Sequence, residues 1–186
     1  MSRLSSAVGF DRVEPTRAEV ESPMPGDDLV QSTEAVMDRA FTISAPPHEV
    51  WPWLVQLGKG RAGWYLPRHV ERFMPPGRRA VRHVDTRWQD LEMGDVIPDY
   101  GGRDKTFTVN HIDPPKTIVY ASERGRIHIS WAILLAPVGH GSTRVRLRLR
   151  MGPIKHKWLV ESGGELIDLL TIAGVAAGLE ERLRKQ

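Results

Sequence analysis

The sequence contains no cysteine. This absence excludes disulfide bonds, zinc or iron–sulfur sites held by thiolates, and a cysteine nucleophile. A large excess of one charge is also missing, because 26 lysine and arginine residues face 23 aspartate and glutamate residues, for a net charge of +3. Such a small excess creates no strong electrostatic field. The composition therefore does not favour nucleic acid as a partner.

Long hydrophobic runs are missing as well. The longest apolar stretch, Leu169–Leu179, is too short to cross a hydrocarbon layer of about 30 Å, and the charged residues Asp168 and Glu180 flank it. Residues 1–10 lack the continuous apolar segment of a secretory signal. The sequence therefore predicts no transmembrane segment and a cytoplasmic location.

The 186 residues, 40% of them hydrophobic, are sufficient for one domain with a sizeable core. Residues 1–28 mix serine, proline, glutamate and arginine without a sustained period. We therefore interpret residues 1–28 as an N-terminal arm and residues 29–186 as a single domain.

Four segments in the first half of the chain have distinct patterns. Residues 36–44 alternate loosely and are rich in β-formers, which predicts a strand. Apolar groups at helical spacing predict short helices at residues 48–57 and 67–73, each bounded by proline or glycine. Residues 77–92 are basic and contain few core-forming side chains, which favours a long, mobile connection.

The pattern in the second half of the chain predicts an antiparallel meander. Strand-like segments separated by turn residues occur at 95–98, 105–112, 117–122, 126–136 and 143–151. In the last of these, Val145, Leu147 and Leu149 alternate with four arginines at positions 144, 146, 148 and 150. The alternation predicts a sheet with one buried face and one solvated face that carries the arginine row.

Residues 158–184 have a helical period and a broad apolar face. This is the only predicted element long enough to cover the apolar face of the sheet. The element order therefore predicts an α+β helix-grip fold, in which a curved antiparallel sheet wraps around a long C-terminal helix. Because a bent sheet and a straight helix do not match in shape, we expect a cavity between them.

Several strings resemble the START-like, or SRPBCC, superfamily of polyketide cyclases, lipid-transfer domains and related proteins. They are the strand-to-helix junction at residues 41–51, the segments 53–58 and 61–65, Met93–Ile97, and Ser130-Trp131 before Thr143-Arg144. The resemblance covers residues 23–184, and these strings resemble those of a bacterial branch of the superfamily. It implies a helix-grip fold, whereas binding, lipid transfer, cyclisation and co-chaperone roles all occur on this fold.

Residues Gly58–Gly63 match the G-x-G-x-x-G string of dinucleotide-binding proteins. That motif requires a strand before it and a helix after it, whereas here a predicted helix precedes it and no βαβ unit follows. We therefore interpret the string as a glycine-rich turn and predict no cofactor. The seven histidines show no pair with the spacing of a helical zinc site, so we also predict no metal.

The main functional hypothesis is that the domain binds a small hydrophobic molecule, such as a lipid, a polyketide or an aromatic metabolite. Large aromatic residues beside flexible glycines can form the wall of a cavity, although they can equally fill the core. The candidate ligand-binding residues are Trp64, Tyr65, His69, Trp88, Tyr120 and Trp131.

Two alternatives remain open. In the first, the domain is an enzyme that resembles polyketide cyclases or dehydratases, and one polar residue moves a proton in the same cavity. Asp95, His111 and Tyr120 are the catalytic candidates for this alternative. In the second, the domain contacts a protein or a membrane surface through the N-terminal arm, the basic segment Arg78–Arg87 or the small-residue segment Ala173–Gly178.

Overall fold

The computed structural model describes residues 13–154 and 165–184 of the chain. Its centre is a curved sheet of six antiparallel strands in the order β1-β6-β5-β4-β3-β2. The strands are β1 (Ala35–Ile43), β2 (Val96–Pro98), β3 (Thr106–Asp113), β4 (Thr117–Arg124), β5 (Ile127–Val138) and β6 (Ser142–Gly152). The helices are α1 (Arg17–Glu21), α2 (Pro47–Gln56), α3 (Arg68–Glu71) and α4 (Glu165–Leu183).

The inner face of the sheet follows from the alternation in β5 and β6. Ile133 pairs with Leu147, and Leu135 pairs with Val145, so apolar side chains meet across the two strands. All four are almost fully buried. The inward face predicted from the alternation is therefore confirmed.

Helix α4 packs against this face through Ile172 and Leu179, which lie on one side of the helix. Residues 158–164 of the predicted helix lie outside the described residues. Within the described ranges, no helix combines the length and the low polarity needed to span a bilayer. The sheet and the covering helix together confirm the α+β helix-grip class.

The small residues of α4 allow close packing within the chain. A side chain at Gly178 would meet the backbone of Tyr65 and Leu66 at 2.7–2.8 Å, and one at Gly174 would meet the Leu66 side chain. The small-residue segment, one of the candidate partner surfaces, therefore contacts the segment that follows the glycine-rich turn.

The glycine-rich string forms a turn, as predicted. Gly58 and Gly63 exchange backbone hydrogen bonds of 3.2 and 3.0 Å, and Gly63 adopts a positive φ of 86° beside Ala80. The turn follows α2 and leads into a segment without regular secondary structure rather than directly into a helix. It therefore lacks the helix N-terminus that binds a pyrophosphate.

Residues 77–92 differ from the loose connection predicted for them. They contain two short 3-10 turns, Pro76–Arg78 and Thr86–Trp88, and bury Ala80 and Leu91. Val81, Val84 and Trp88 also pack against the core. Sparse apolar residues thus hold the segment on the protein, with its arginines directed outward or paired.

The predicted solvation of the arginine row is wrong. Residues 13–33, which we call the strap, lie on the outer face of the sheet and cover the row. Arg148 is only 5% exposed and contacts Asp38 at 2.7 Å and Asp27 at 2.9 Å. Carboxylates of the preceding chain pair with Arg144, Arg148 and Arg150, and its carbonyl oxygens accept hydrogen bonds from the row, so the row attaches the strap instead of facing water.

The strap also carries apolar contacts. Met24 and Leu29 pack with Val119 and Ala132 in a small cluster on the outer face of β4 and β5. Gly26 fits closely there, because a side chain at this position would overlap Val119. The two kinds of contact together fix the strap across the central strands.

Glu19 provides a test of this attachment. Hydrogen bonds from Arg144, at 2.8 Å, hold the pKa of Glu19 at about 2, below the value of 4.5 for a free glutamate. A lowered pKa in the folded state stabilises the protein above about pH 4.5, and this contribution falls away as the pH drops towards about 2. We expect Glu19→Gln to lower the free energy of unfolding by about 1–2 kcal/mol at neutral pH.

Glutamine can still cap helix α1, so the substitution removes mainly the charge. Urea unfolding of both proteins between about pH 6 and about pH 3 measures the difference, because this range includes the pKa of 4.5 of a free glutamate. The difference is expected to shrink as the pH falls. A difference that does not depend on pH would contradict the role assigned to the ion pair.

Candidate functional site

A cavity of about 480 Å³ lies between the inner face of the sheet and helix α4. It lies where a cavity is expected, because a bent sheet and a straight helix do not fit each other in shape. The lining residues are Trp64, Asp99, Tyr100, Gly101, Phe107, Arg124, Ile129, Trp131, Leu149, Met151, Asp168, Thr171 and Ile172.

One side of the cavity is a continuous group of aromatic rings, which we call the aromatic wall: Trp64, Tyr100, Phe107, Tyr120 and Trp131. Trp131 lies at its centre. The ring centroid of Trp131 is 6.1 Å from that of Trp64 and 5.5 Å from that of Tyr120, in stacked geometries. These mutual contacts hold the ring of Trp131 in place at the cavity surface.

The remaining surface is mainly aliphatic. Ile129, Leu149 and Met151 project from β5 and β6, and Ile172 projects from α4. Leu149 lies directly opposite Trp131 in the pairing of the two strands. Water in such a space finds few hydrogen-bond partners, so an apolar occupant is favoured over solvent.

A polar edge is formed by Asp99 and Arg124, which make an ion pair. The guanidinium of Arg124 also lies 5.4 Å from the ring centroid of Phe107, within the range of a cation–π contact. Gly101 faces the pair so closely that a side chain there would collide with both partners. The ammonium of Lys59 donates to the carbonyl oxygens of Asp99 and Gly102 at 2.9 Å, which fixes this loop.

A second polar contact connects the helix to the sheet. Arg39 on β1 lies 3.0 Å from Asp168 on α4, and both side chains are mostly buried. The indole N–H of Trp64 donates to the carbonyl oxygen of Thr171 at 3.2 Å. Trp64 therefore closes the space between the glycine-rich turn and α4.

Of the candidate ligand-binding residues, Trp64 and Trp131 line the cavity. Tyr65, which follows Trp64, points into the core instead. Its hydroxyl donates to the carbonyl oxygen of Trp53 at 2.8 Å and accepts from Gln56 at 2.9 Å. Burial raises the pKa of Tyr65, so the hydroxyl stays protonated.

The other three candidates lie outside the lining of this cavity. Tyr120 is buried beside Trp131, its pairing partner on β5, and belongs to the aromatic wall without lining the cavity. His69 is exposed on helix α3. Trp88 lies in a 3-10 turn, where the Arg87 guanidinium stacks over its ring at 4.9 Å.

The three catalytic candidates do not meet in the cavity. Asp95 is exposed, and its carboxylate accepts from the backbone N–H of Glu92 at 2.9 Å, which is a turn contact. His111 is exposed on β3. Burial raises the pKa of Tyr120, which disfavours the phenolate that a proton acceptor would need.

Sequence reasoning missed Phe107, Met151, Ile172 and the polar edge. The alternation in β6 places Leu149 on the inner face, but alternation does not separate a cavity wall from a filled core. Across the described ranges, no cluster of three histidine, aspartate or glutamate side chains has the arrangement of a metal site.

Neither the models of known protein families nor the sequences of curated proteins match this chain. Solved structures do match it. Protein MLL2253 from Mesorhizobium loti is 17% identical, with a TM-score of 0.52, and the match covers 82% of this chain and 98% of that chain. Protein NE0264 from Nitrosomonas europaea is 16% identical, with a TM-score of 0.50 and coverage of 88% and 99%.

A protein from Rhodobacter sphaeroides is 12% identical, with a TM-score of 0.51, and the match covers 83% of this chain and 95% of that chain. At such low identities the similarity concerns the fold. Together with the six-stranded curved sheet and the covering helix α4, it shows that the chain has a helix-grip fold.

Proposed function

We propose that this protein binds a small, mainly apolar molecule with a flat ring system in the cavity between the sheet and helix α4. Its main support is the open space beside Trp64 and Trp131, whose stacked rings present aromatic surface to an occupant. A polyketide or another aromatic metabolite fits this surface better than a fully aliphatic chain.

The size and chemistry of the cavity support this class of ligand. A volume of about 480 Å³ lies within the range of about 300–1,000 Å³ that is common for small-molecule sites. Stacking of one ring on another contributes about 0.5–1.5 kcal/mol beyond the burial of apolar area. The aromatic wall therefore provides affinity, and the polar edge at Arg124 and Asp99 provides orientation.

Binding without turnover is the function that this arrangement favours. The catalytic candidates Asp95 and His111 are exposed outside the lining, and Tyr120 is buried beside Trp131 without lining the cavity. Of the charged residues that do line the space, Arg124 and Asp99 are paired with each other, and Asp168 is paired with Arg39. Such pairing supports a role in positioning a ligand rather than in moving a proton.

A cavity-filling substitution tests the proposal. Leu149→Trp places a larger side chain opposite Trp131 and is expected to weaken binding of phenylnaphthylamine, an uncharged aromatic dye, at least about tenfold. The measurement is the rise in dye fluorescence during a titration. Native mass spectrometry of the purified protein would show whether it retains a molecule from its host.

The matched control is Val138→Trp, which adds the same side chain at an exposed position of β5. The control protein is expected to bind the dye as the wild type does. Equal dye binding by the wild type and Leu149→Trp, or no dye binding by the wild type, would contradict the proposal.

A further inference from the structure

A second cavity, of about 330 Å³, lies between helix α3 and the segment that leads into residue 82. Its lining consists of Arg68, Glu71, Arg72, Arg79, Ala80 and Arg82, and it shares no residue with the lining of the first cavity. Arg182 of helix α4 lies beneath it, ten residues beyond Ile172, which is about 15 Å along the helix axis. The two cavities are therefore distinct.

A buried ion-pair network forms the floor of this second cavity. The carboxylate of Glu71 is 4% exposed and accepts from Arg182 and Arg82, each at 2.6 Å. Arg82 also donates to Glu181 at 3.1 Å. Because both oxygens of Glu71 are occupied by guanidinium groups, the floor presents little uncompensated negative charge to the space above it.

Two further arginines stand above this floor. Arg79 donates to the carbonyl oxygens of Met74 and Arg72, at 3.0 and 3.2 Å, which fixes its guanidinium group. The guanidinium of Arg72 stacks over Phe73 at 4.5 Å. Within the described part of the chain, Arg72 has no carboxylate or carbonyl partner for its side-chain donors.

The balance of charge in this region is strongly positive. Five guanidinium groups, those of the four lining arginines and Arg182, face the two carboxylates of Glu71 and Glu181. Groups of like charge repel one another at short range, so their convergence costs free energy unless an anion compensates it. Free donors, a concave shape and uncompensated positive charge together point to an anionic ligand.

We propose that this arginine cavity binds a phosphate monoester through Arg72 and Arg79, with Arg68 at its rim. A guanidinium group offers paired N–H donors whose spacing matches two oxygens of a phosphate group. A dianion also compensates more of the excess charge than a single carboxylate does. The volume exceeds that of a phosphate group alone, so the ligand is an ester with a small organic part.

Calorimetric titration with glycerol phosphate tests this site, and glycerol and chloride at matched ionic strength serve as ligand controls. We expect Arg72→Gln to raise the dissociation constant about tenfold, which corresponds to about 1.4 kcal/mol. Arg78→Gln is the matched control, because Arg78 is an exposed neighbour that does not line the cavity. It is expected to leave the dissociation constant unchanged.

A second arm of the test identifies the source of the phosphate group. Phe73 is 78% exposed beside the cavity and would contact a bilayer if the ester were a lipid headgroup. Cosedimentation with phosphatidylcholine vesicles that contain phosphatidic acid, lost in both Arg72→Gln and Phe73→Ser, identifies the headgroup. Binding of glycerol phosphate alone, unaffected by Phe73→Ser, identifies a soluble ester.

Either result supports the site. The proposal is overturned if neither ligand binds, if chloride competes equally well, or if Arg78→Gln weakens binding as much as Arg72→Gln does. The far-ultraviolet circular dichroism spectrum of Arg72→Gln should equal that of the wild type, which shows that the variant is folded. Since the two ligands use separate cavities, failure of one proposal leaves the other intact.

Discussion

Arg182→Met is expected to lower the free energy of unfolding by about 3–5 kcal/mol, because it leaves the buried carboxylate of Glu71 without one of its two guanidinium partners. The Arg182 side chain is fully buried and donates to Glu71 at 2.6 Å. It also donates to the carbonyl oxygens of Val81, Leu66 and Gly178. Methionine has a similar length but satisfies none of these acceptors.

Urea unfolding at neutral pH measures this effect, with Arg184→Met as the matched control. Arg184 lies two residues further along α4 and makes an exposed ion pair with Glu180, so its replacement should cost less than about 1 kcal/mol. The double variant Glu71→Leu/Arg182→Met is expected to recover part of the loss, because no buried charge remains. Similar losses for Arg182→Met and Arg184→Met would contradict a structural role for the buried pair.

Gly178→Ala is expected to destabilise the protein by about 2–3 kcal/mol, although the same change in an ordinary helix stabilises it by about 1 kcal/mol. The added methyl group would meet the backbone of Leu66 and Tyr65 at 2.7–2.8 Å. Backbone atoms cannot move aside as the end of a side chain can. Helix α4 would therefore have to shift away from the segment that carries Trp64.

Gly174→Ala, one turn earlier on the same face, is the matched control for this substitution. Its methyl group would meet only the terminal carbon of the Leu66 side chain, at 2.6 Å, and that group can rotate. Thermal unfolding should therefore place Gly174→Ala close to the wild type and Gly178→Ala well below both. Equal stabilities of the two variants would show that the helix adjusts freely at residue 178.

The architecture could be predicted because its determinants are periodic. The apolar alternation in β5 and β6 defines a face, and the helical period of the C-terminal segment predicts a long helix that covers it. The packing of residues 77–92 could not be predicted, because burial of that segment depends on a few separate side chains, such as Ala80 and Leu91. Isolated apolar residues in a basic segment carry no period by which they can be recognised.

The arginine row shows a second limit of pattern reading. Alternation correctly predicts that Arg148 lies on the outer face. It also predicts that this face is exposed to solvent, because arginine side chains usually are. The strap covers the face instead, and Glu19 and Asp27 reach Arg144 and Arg148 over more than 120 positions in the chain. Sequence patterns within one element do not indicate such distant charge pairs.

The candidate site was predictable only in part, for a geometric reason. Trp64 and Tyr65 are adjacent, yet one lines the cavity and the other fills the core, because their side chains lie on different sides of the chain. The sequence identifies both residues as candidates but does not indicate which of them lines the cavity. Arg124 and Asp99 come together only through the pairing of β2, β3 and β4, which no local motif encodes.

Strand β6 serves two purposes on its two faces. Leu149 and Met151 contribute to the cavity, while Arg148 and Arg150, at the intervening positions, hold the strap. Substitutions of the inner residues can therefore change the ligand specificity of the cavity during evolution without disturbing the contacts between β6 and the strap. Insertion or deletion of a single residue in β6 would exchange the two faces and destroy both properties at once.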